Sequence, residues 1–478
     1  MIRWPALLSG PKFWCLAYLC LCAPVCIALA LIVPPGEVAD EAAHLARAAA
    51  LMNGEFVGHR ESVRYSDGST HVAAGVRIDP AWDEVARSRP KNFAGGLYPL
   101  DGEADARGRI FVPLYTVGTY PPFLYVPAAA GLAAGRILGL APEACVYLGR
   151  LANATATVVI ALAALALARR GRAAFFALLA LPMTLSLAAS FNQDALIIAL
   201  SALAAALLTP RPFAGHGAGP RLSGAILCIA LVALAKPPYA ALAAMLLVPV
   251  SGDGQGRQMG RRLAAAVLAV LPAAIWTVAA TATVATPVPR YAYEAGPLWS
   301  GPRPATFTAT DPKAQGQNLL EEPLRLLTLP AHFLGGIKHL LGLAKGAIGI
   351  FGWLDRFLPD PLYLLWAVAL VVPLVLASRT GPLPPWPERL LLPLAALACL
   401  WLVVLSQYAT WTNVGENRVD GPQGRYLLPL APMLILAFAR LRPDPDGGRR
   451  WPALLPVAAA AIDLVAVPLA ALAMTVPA

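Results

Sequence analysis

The first residues able to do chemistry are Asp40-Glu41, followed by His44 and Arg47. Pro and Gly followed by acids suit a helix start, and Asn53-Gly54 suits its end. Asp40, His44 and Arg47 then fall at i, i+4 and i+7 and share one helical face. A carboxylate on such a face can accept a proton from a hydroxyl, and general-base help of this kind contributes about 10²–10⁴-fold. The same acids could instead complement the helix dipole from solvent. With one His at helical spacing, a zinc site is the weaker reading.

Further polar residues stand where apolar runs meet. Asn192-Gln193-Asp194 separates two such runs and Lys236 separates two more. Asp355 follows Phe351-Gly352-Trp353-Leu354, and Gln423-Gly424-Arg425-Tyr426 opens a later run. Singly, each reads as a snorkelling interfacial side chain. Ionisable residues at membrane depth are functional-site candidates when they gather around a cavity.

The elements that must position them belong to a membrane. The chain has 478 residues, 58% hydrophobic and 13% charged, against roughly 25% charged in soluble domains. Phe13 to Val33 and Leu263 to Val288 carry no charge, and each exceeds the ~20 apolar residues that cross ~30 Å of hydrocarbon. The expected fold is an all-α integral membrane protein of about eleven transmembrane helices. They lie near 13–33, 150–168, 173–190, 194–208, 222–235, 238–250, 263–286, 361–378, 390–408, 426–439 and 452–474. The first is expected to stay uncleaved, its apolar stretch being longer than a signal peptide's.

Charge sets the topology. Six gaps hold sixteen basic residues against four acids, among them Arg3, Arg169, Arg170, Arg211, Arg262, Arg379, Arg442 and Arg450. Pro34 to Val112 has nine basic and twelve acidic residues. The positive-inside rule puts the gaps and the N-terminus in the cytoplasm. The net charge of +10 is therefore a topology signal, with no nucleic-acid partner implied. Residues 1–478 form one membrane domain whose outer loops, 34–149 and 287–360, cap it. Pro121 to Leu140 and Ala331 to Trp353 lie in those loops as interfacial helices. The seven Cys fall in or beside apolar segments and fit neither a disulfide framework nor a zinc pattern. All the polar residues singled out above land on the outer side.

These residues resemble the C-type glycosyltransferases, enzymes that use polyprenyl-phosphate sugars. The likeness is carried by Ala39-Asp40-Glu41 after the first span, Tyr120 to Tyr125, Arg150, Asp194 and Lys236-Pro237. The layout is similar to bacterial lipid A aminoarabinose transferases and protein mannosyltransferases. Val38 to Gly54, Ser190 to Asp194, Phe351 to Pro359 and Gln423 to Pro429 more closely resemble a large bacterial family of predicted membrane proteins of unknown function. Ala39 stands where relatives often carry Pro.

The resemblance implies an inner-membrane enzyme with an extracytoplasmic site, at work in cell-envelope glycan assembly. Asp40 matches the catalytic acid position, and Glu41 shares the role or helps bind a divalent cation such as Mg or Mn. Lys236, Arg150 and Arg425 are expected to meet the phosphate of the donor as its charge develops. His44, Arg47, Tyr120, Asn192, Asp194, Asp355, Gln423 and Tyr426 are expected to line the substrate site. The partners implied are a polyprenyl-phosphate sugar, a glycan, lipid or protein acceptor, and membrane lipid. A secondary transporter or lipid-linked-sugar flippase is the alternative, since it too would have broken helices and buried charges. Polar residues on one face, without visible inverted repeats, favour the enzyme.

Overall fold

The computed structural model describes residues 10–87, 97–100, 102–209, 218–248, 255–376, 382–441 and 451–473. Arg3, Arg211, Arg379, Arg442, Arg449 and Arg450 of the basic gaps lie outside the described residues.

The chain starts with α1 (Pro11–Ile32) and α2 (Glu41–Met52). A three-stranded antiparallel sheet follows, β1 (His59–Arg64), β2 (Thr70–Ile78) and β3 (Ile110–Pro113), with α3 (Pro80–Arg87) between β2 and β3. Next come α4 (Val126–Ile137), α5 (Pro142–Leu167), α6 (Arg172–Leu179), α7 (Pro182–Ala188), α8 (Asp194–Leu208) and α9 (Ala218–Ala235). A 3-10 segment at Pro237–Leu247 leads to α10 (Gln255–Thr283). The following region holds β4 (Pro289–Glu294), β5 (Thr306–Ala309), α11 (Pro312–Glu321), α12 (Arg325–Gly335), α13 (Ile337–Ile348) and the short pair β6 (Ile350–Phe351) and β7 (Arg356–Phe357). The chain closes with α14 (Asp360–Leu376), α15 (Trp386–Thr410), a 3-10 segment at Gly424–Leu430, α16 (Ala431–Phe438) and α17 (Trp451–Leu472).

Among the described residues, five helices are long and apolar enough to cross a membrane: α1, α5, α15, and the stretches Met259–Thr283 and Pro452–Leu472 of α10 and α17. The pair α12 and α13, bent by 73°, makes a sixth if counted as one span. Among the described residues, three of the expected spans are not continuous α-helices. The segment expected at 173–190 is two short helices meeting at Leu181-Pro182, and those expected at 238–250 and 426–439 are wholly or partly 3-10. Pro237, Pro238 and Pro429 each remove a backbone N–H from a regular ladder. Such segments persist because protein, not lipid, surrounds them. Nearly every residue of α6, α7 and α8 is buried, so these form the centre around which the longer helices pack.

The strands correct the all-α expectation. Val76, Ile78, Trp82 and Val112 seat the first sheet and α3 on a core shared with Leu45, Tyr125, Leu132 and Phe191. That core fixes α2 against α4 and α5. The expected interfacial stretch 121–140 is a short 3-10 turn and α4, and 331–353 is the bent α12–α13 elbow running into β6.

Candidate functional site

The turn after α1 delivers Asp40 in an unusual state. Its backbone is left-handed at φ 65°, and its side chain does not cap α2. A non-Gly residue there costs roughly 1–3 kcal/mol and persists only where its surroundings over-determine it. They do so here from the β6–β7 hairpin. Ala39 N donates to Gly352 O at 3.1 Å, and Trp353 Nε1 donates to Gly36 O at 3.1 Å. Freed from capping, the Asp40 carboxylate accepts from Arg425 Nη2.

Arg425 links two acids. Its Nε lies 3.3 Å from Asp194 Oδ2, a charge contact off the hydrogen-bond direction. Lys236 Nζ lies 2.5 Å from Asp194 Oδ1 and 4.5 Å above the Tyr426 ring. Two carboxylates and two cations thus meet, drawn from the start of α2, the start of α8, the end of α9 and the 3-10 turn before α16. Tyr239 holds Tyr426 in place through its hydroxyl, which donates to Tyr426 O at 3.1 Å.

Enclosure and access differ among these groups. Arg425 and Asp194 are 3% and 6% exposed at the side chain, while Asp40 is 45% exposed although protein surrounds it. Asp40 is therefore the accessible carboxylate of the cluster, and Asp194 the enclosed one. Burial alone would raise its pKa, but Arg425, His44 and Lys236 outweigh burial and hold Asp40 below the usual carboxylate range. Burial opposes the charge on Lys236 and Arg425, yet Asp194 and Asp40 respectively overcome it, so both pKa values move up. At neutral pH the four groups are all charged and their charges cancel.

His44 stacks on Tyr125 and its Nδ1 lies 2.7 Å from the Tyr125 hydroxyl. Burial takes its pKa down to about 4, against a partial upward pull from Asp40. The sign of the consequence follows. Above pH 6.5 the imidazole is neutral folded or unfolded; between about 6.5 and 4 only the unfolded chain takes up the proton. Stability is therefore expected to fall by about 3 kcal/mol as pH drops through that window. Melting temperatures in detergent between pH 7.5 and 4.5 check this, and His44→Gln should flatten the slope. An equally steep slope in that variant assigns the effect elsewhere.

Several expected site residues have other work. Glu41 does not act beside Asp40: its oxygens accept from Arg150 Nε at 2.8 Å and Nη2 at 2.6 Å, with the two side chains 1% and 0% exposed. Glu41 also accepts from Gly36 N at 3.0 Å and Phe191 N at 3.3 Å. Arg150, expected at the donor phosphate, is held 0% exposed inside α5. It donates to Ala30 O and Val33 O at the end of α1, and to Pro34 O, which also accepts from Glu37 N. Arg47, expected to touch substrate, is spent on the carbonyls of Glu55, Phe56 and Tyr120. Asp355 is exposed and accepts from Trp353 N at 2.9 Å, shaping its own hairpin and not joining the cluster.

The others stand at the cluster. Tyr120, whose phenol burial raises to about 12, feels the charges of Lys236, Asp194 and Asp40. Asn192 accepts from Asp194 N at 2.9 Å, and its Nδ2 is buried without a hydrogen-bond partner. Gln423 adjoins the Arg425 turn, its Oε1 likewise unpartnered. The donor set does not fit a resident Mg or Mn: Asp40 and Asp194 face cations, and Glu41 is sealed by Arg150. Among the described residues no group of three His, Cys, Asp or Glu gathers for a metal.

Sequence reasoning missed Tyr125, Tyr239, Asn153 and Gly424. Asn153 Nδ2 donates to Ser190 O at 2.7 Å and pins the loop carrying Asn192 and Asp194. Its signal was an amide one turn beyond Arg150 in an apolar helix. At Gly424 any Cβ would overlap Leu343 O and Ala347 N, so only glycine lets the Arg425 turn lie against α13.

The region that brings these residues together is one unit in comparison with known proteins. Residues 24–434 match the family described as predicted membrane protein, DUF2142. The chain belongs to that family. Its match runs from within α1 to within α16 and takes in Asp40, Asp194, Lys236 and Arg425. No curated protein and no solved structure matches the chain.

Proposed function

We propose that this DUF2142 member is a membrane glycosyltransferase that moves a sugar from a polyprenyl-phosphate donor to an acceptor hydroxyl. The supporting observation is Asp40, a strained yet accessible carboxylate in a cluster with buried Arg425 and half-buried Lys236. In this reading the Asp40 carboxylate takes the proton of the acceptor hydroxyl. The acceptor oxygen forms a bond to the anomeric carbon as the bond from that carbon to the phosphate oxygen breaks. The phosphate leaves with the electron pair, and its charge falls to Lys236 and Arg425. Tyr120, Asn192 and Gln423 supply hydrogen bonds to sugar hydroxyls. The short and broken apolar helices complete about eleven passes, with a cytoplasmic N-terminus and the cluster on the extracytoplasmic face of a bacterial inner membrane.

The test is mass spectrometry of lipids that co-purify with the Asp40→Asn protein in mild detergent. Enrichment of a polyprenyl-phosphate sugar is expected, because the variant binds a donor it cannot consume. Bulk phospholipid alone, in a preparation shown to retain added polyprenyl phosphate, would count against transfer and for transport.

A further inference from the structure

The α12–α13 elbow and the Gln423–Arg425 turn enclose a cavity of about 250 Å³. Its lining includes Arg425 but none of Asp40, Asp194, Lys236 or Tyr426. It is therefore a separate chamber, and Arg425 belongs both to its wall and to the reactive cluster.

Its chemistry is one-sided. Lys338 and His339 line it, and no Asp or Glu does. Both residues lie in the first turn of α13, whose N-cap, Gly336, offers no side-chain cap. The positive end of that helix dipole adds to the Lys338 charge. His339 stacks on Phe333 at 4.7 Å with its Nδ1 3.0 Å from Phe333 O, so its Nε2 edge is left for a ligand. Gln423 also lines the cavity, where its amide can turn an N–H toward a bound anion. Inside the Asp40 cluster cation and carboxylate charges cancel; in this cavity no carboxylate lines the wall beside Lys338.

The remaining walls are apolar, formed by Met183, Phe333, Leu343 and Leu354. Outside, α12 and α13 expose Leu326, Leu327, Ile337, Leu340 and Leu341. A free anion has no use for such walls, whereas a phosphate on a hydrocarbon chain matches both halves.

We propose that this cavity binds a phosphate-headed amphiphile and that the bound phosphate competes with Asp40 for Arg425. A carboxylate locked to a guanidinium is a poor base. An anion drawing Arg425 toward Lys338 loosens that pair and leaves Asp40 able to take a proton. Occupation of the chamber then licenses the neighbouring cluster, and by linkage the state of Asp40 sets the affinity of the chamber. The licensing step rests on the function proposed above; the binding and the competition do not.

The test titrates dodecyl phosphate into the full chain in a neutral detergent and reads heat, with no sugar donor present. Dodecyl phosphate is expected to saturate a single site, and dodecanol and inorganic phosphate to bind far more weakly. Lys338→Gln, at an exposed position, should weaken binding by about tenfold. Asp40→Asn should tighten it several-fold, since Arg425 loses its competitor. Failure to saturate, or unchanged affinity in Lys338→Gln/His339→Gln, would overturn the site. Inorganic phosphate binding as tightly as dodecyl phosphate removes the amphiphile. An Asp40→Asn affinity equal to wild type removes the competition for Arg425. Since no transfer is measured, none of these outcomes depends on the enzyme reading.

Discussion

Asp40→Asn is expected to leave a folded protein in which sugar transfer has dropped by about 10²–10⁴-fold. The fold survives because Asn tolerates the left-handed backbone at φ 65° as well as Asp does. Its amide also keeps one oxygen for Arg425 Nη2, the existing partner. What is lost is the negative charge and the ability to accept a proton. Melting temperature and transfer from a labelled polyprenyl-phosphate sugar are measured on the same preparation. A variant that melts with the wild type and transfers at its rate would remove Asp40 from the chemistry.

Arg150→Met should act in the opposite way, on stability before activity. It leaves Glu41 charged, 1% exposed and without its bidentate partner, and it takes the Arg150 donor from Ala30 O and Val33 O. Breaking a buried pair from one side costs about 3–5 kcal/mol, a large share of the roughly 5–15 kcal/mol that holds a typical domain. The variant is expected to accumulate poorly and to melt early. Adding Glu41→Gln should recover part of the loss, because the uncompensated charge goes while the carbonyls stay unmet. Thermal melts of the two variants decide it. Normal melting with lost donor binding would return Arg150 to the substrate site.

This contrast marks how far the sequence could be read. Apolar runs and basic gaps announced a membrane protein, and the match to DUF2142 bears that out at the level of a membrane family. Helix breaks were harder, because whether Leu181-Pro182 or Pro237-Pro238 ends a helix depends on the protein packed around it. The sheet went unseen, since the nine residues of β2 are half buried and mixed in polarity, with no clean alternation. Asp40 and Glu41 are neighbours in sequence, but Asp40 is the left-handed residue before the helix and Glu41 the first residue within it, so their side chains diverge. One therefore meets Arg425 and the other Arg150. Asp194, Lys236 and Arg425 were legible as charges at the edges of apolar runs. Their mutual pairing was not, because nothing local records which cation meets which acid. Gly424 was invisible for a related reason: its requirement comes from the backbone of α13, some eighty residues earlier.

The pairing of Asp40 with Arg425 bridges 385 residues, and that distance bears on biosynthesis. A chain emerging N-terminus first places Asp40 at the membrane surface long before its partner has been translated. Asp194 and Lys236 follow and can neutralise each other, but Asp40 waits for the final stretch before α16. Nascent chains and products truncated before Arg425 hold an unclamped acid and an unfinished chamber. The cluster can therefore close only after the chain has been translated through Arg425, 385 residues beyond Asp40.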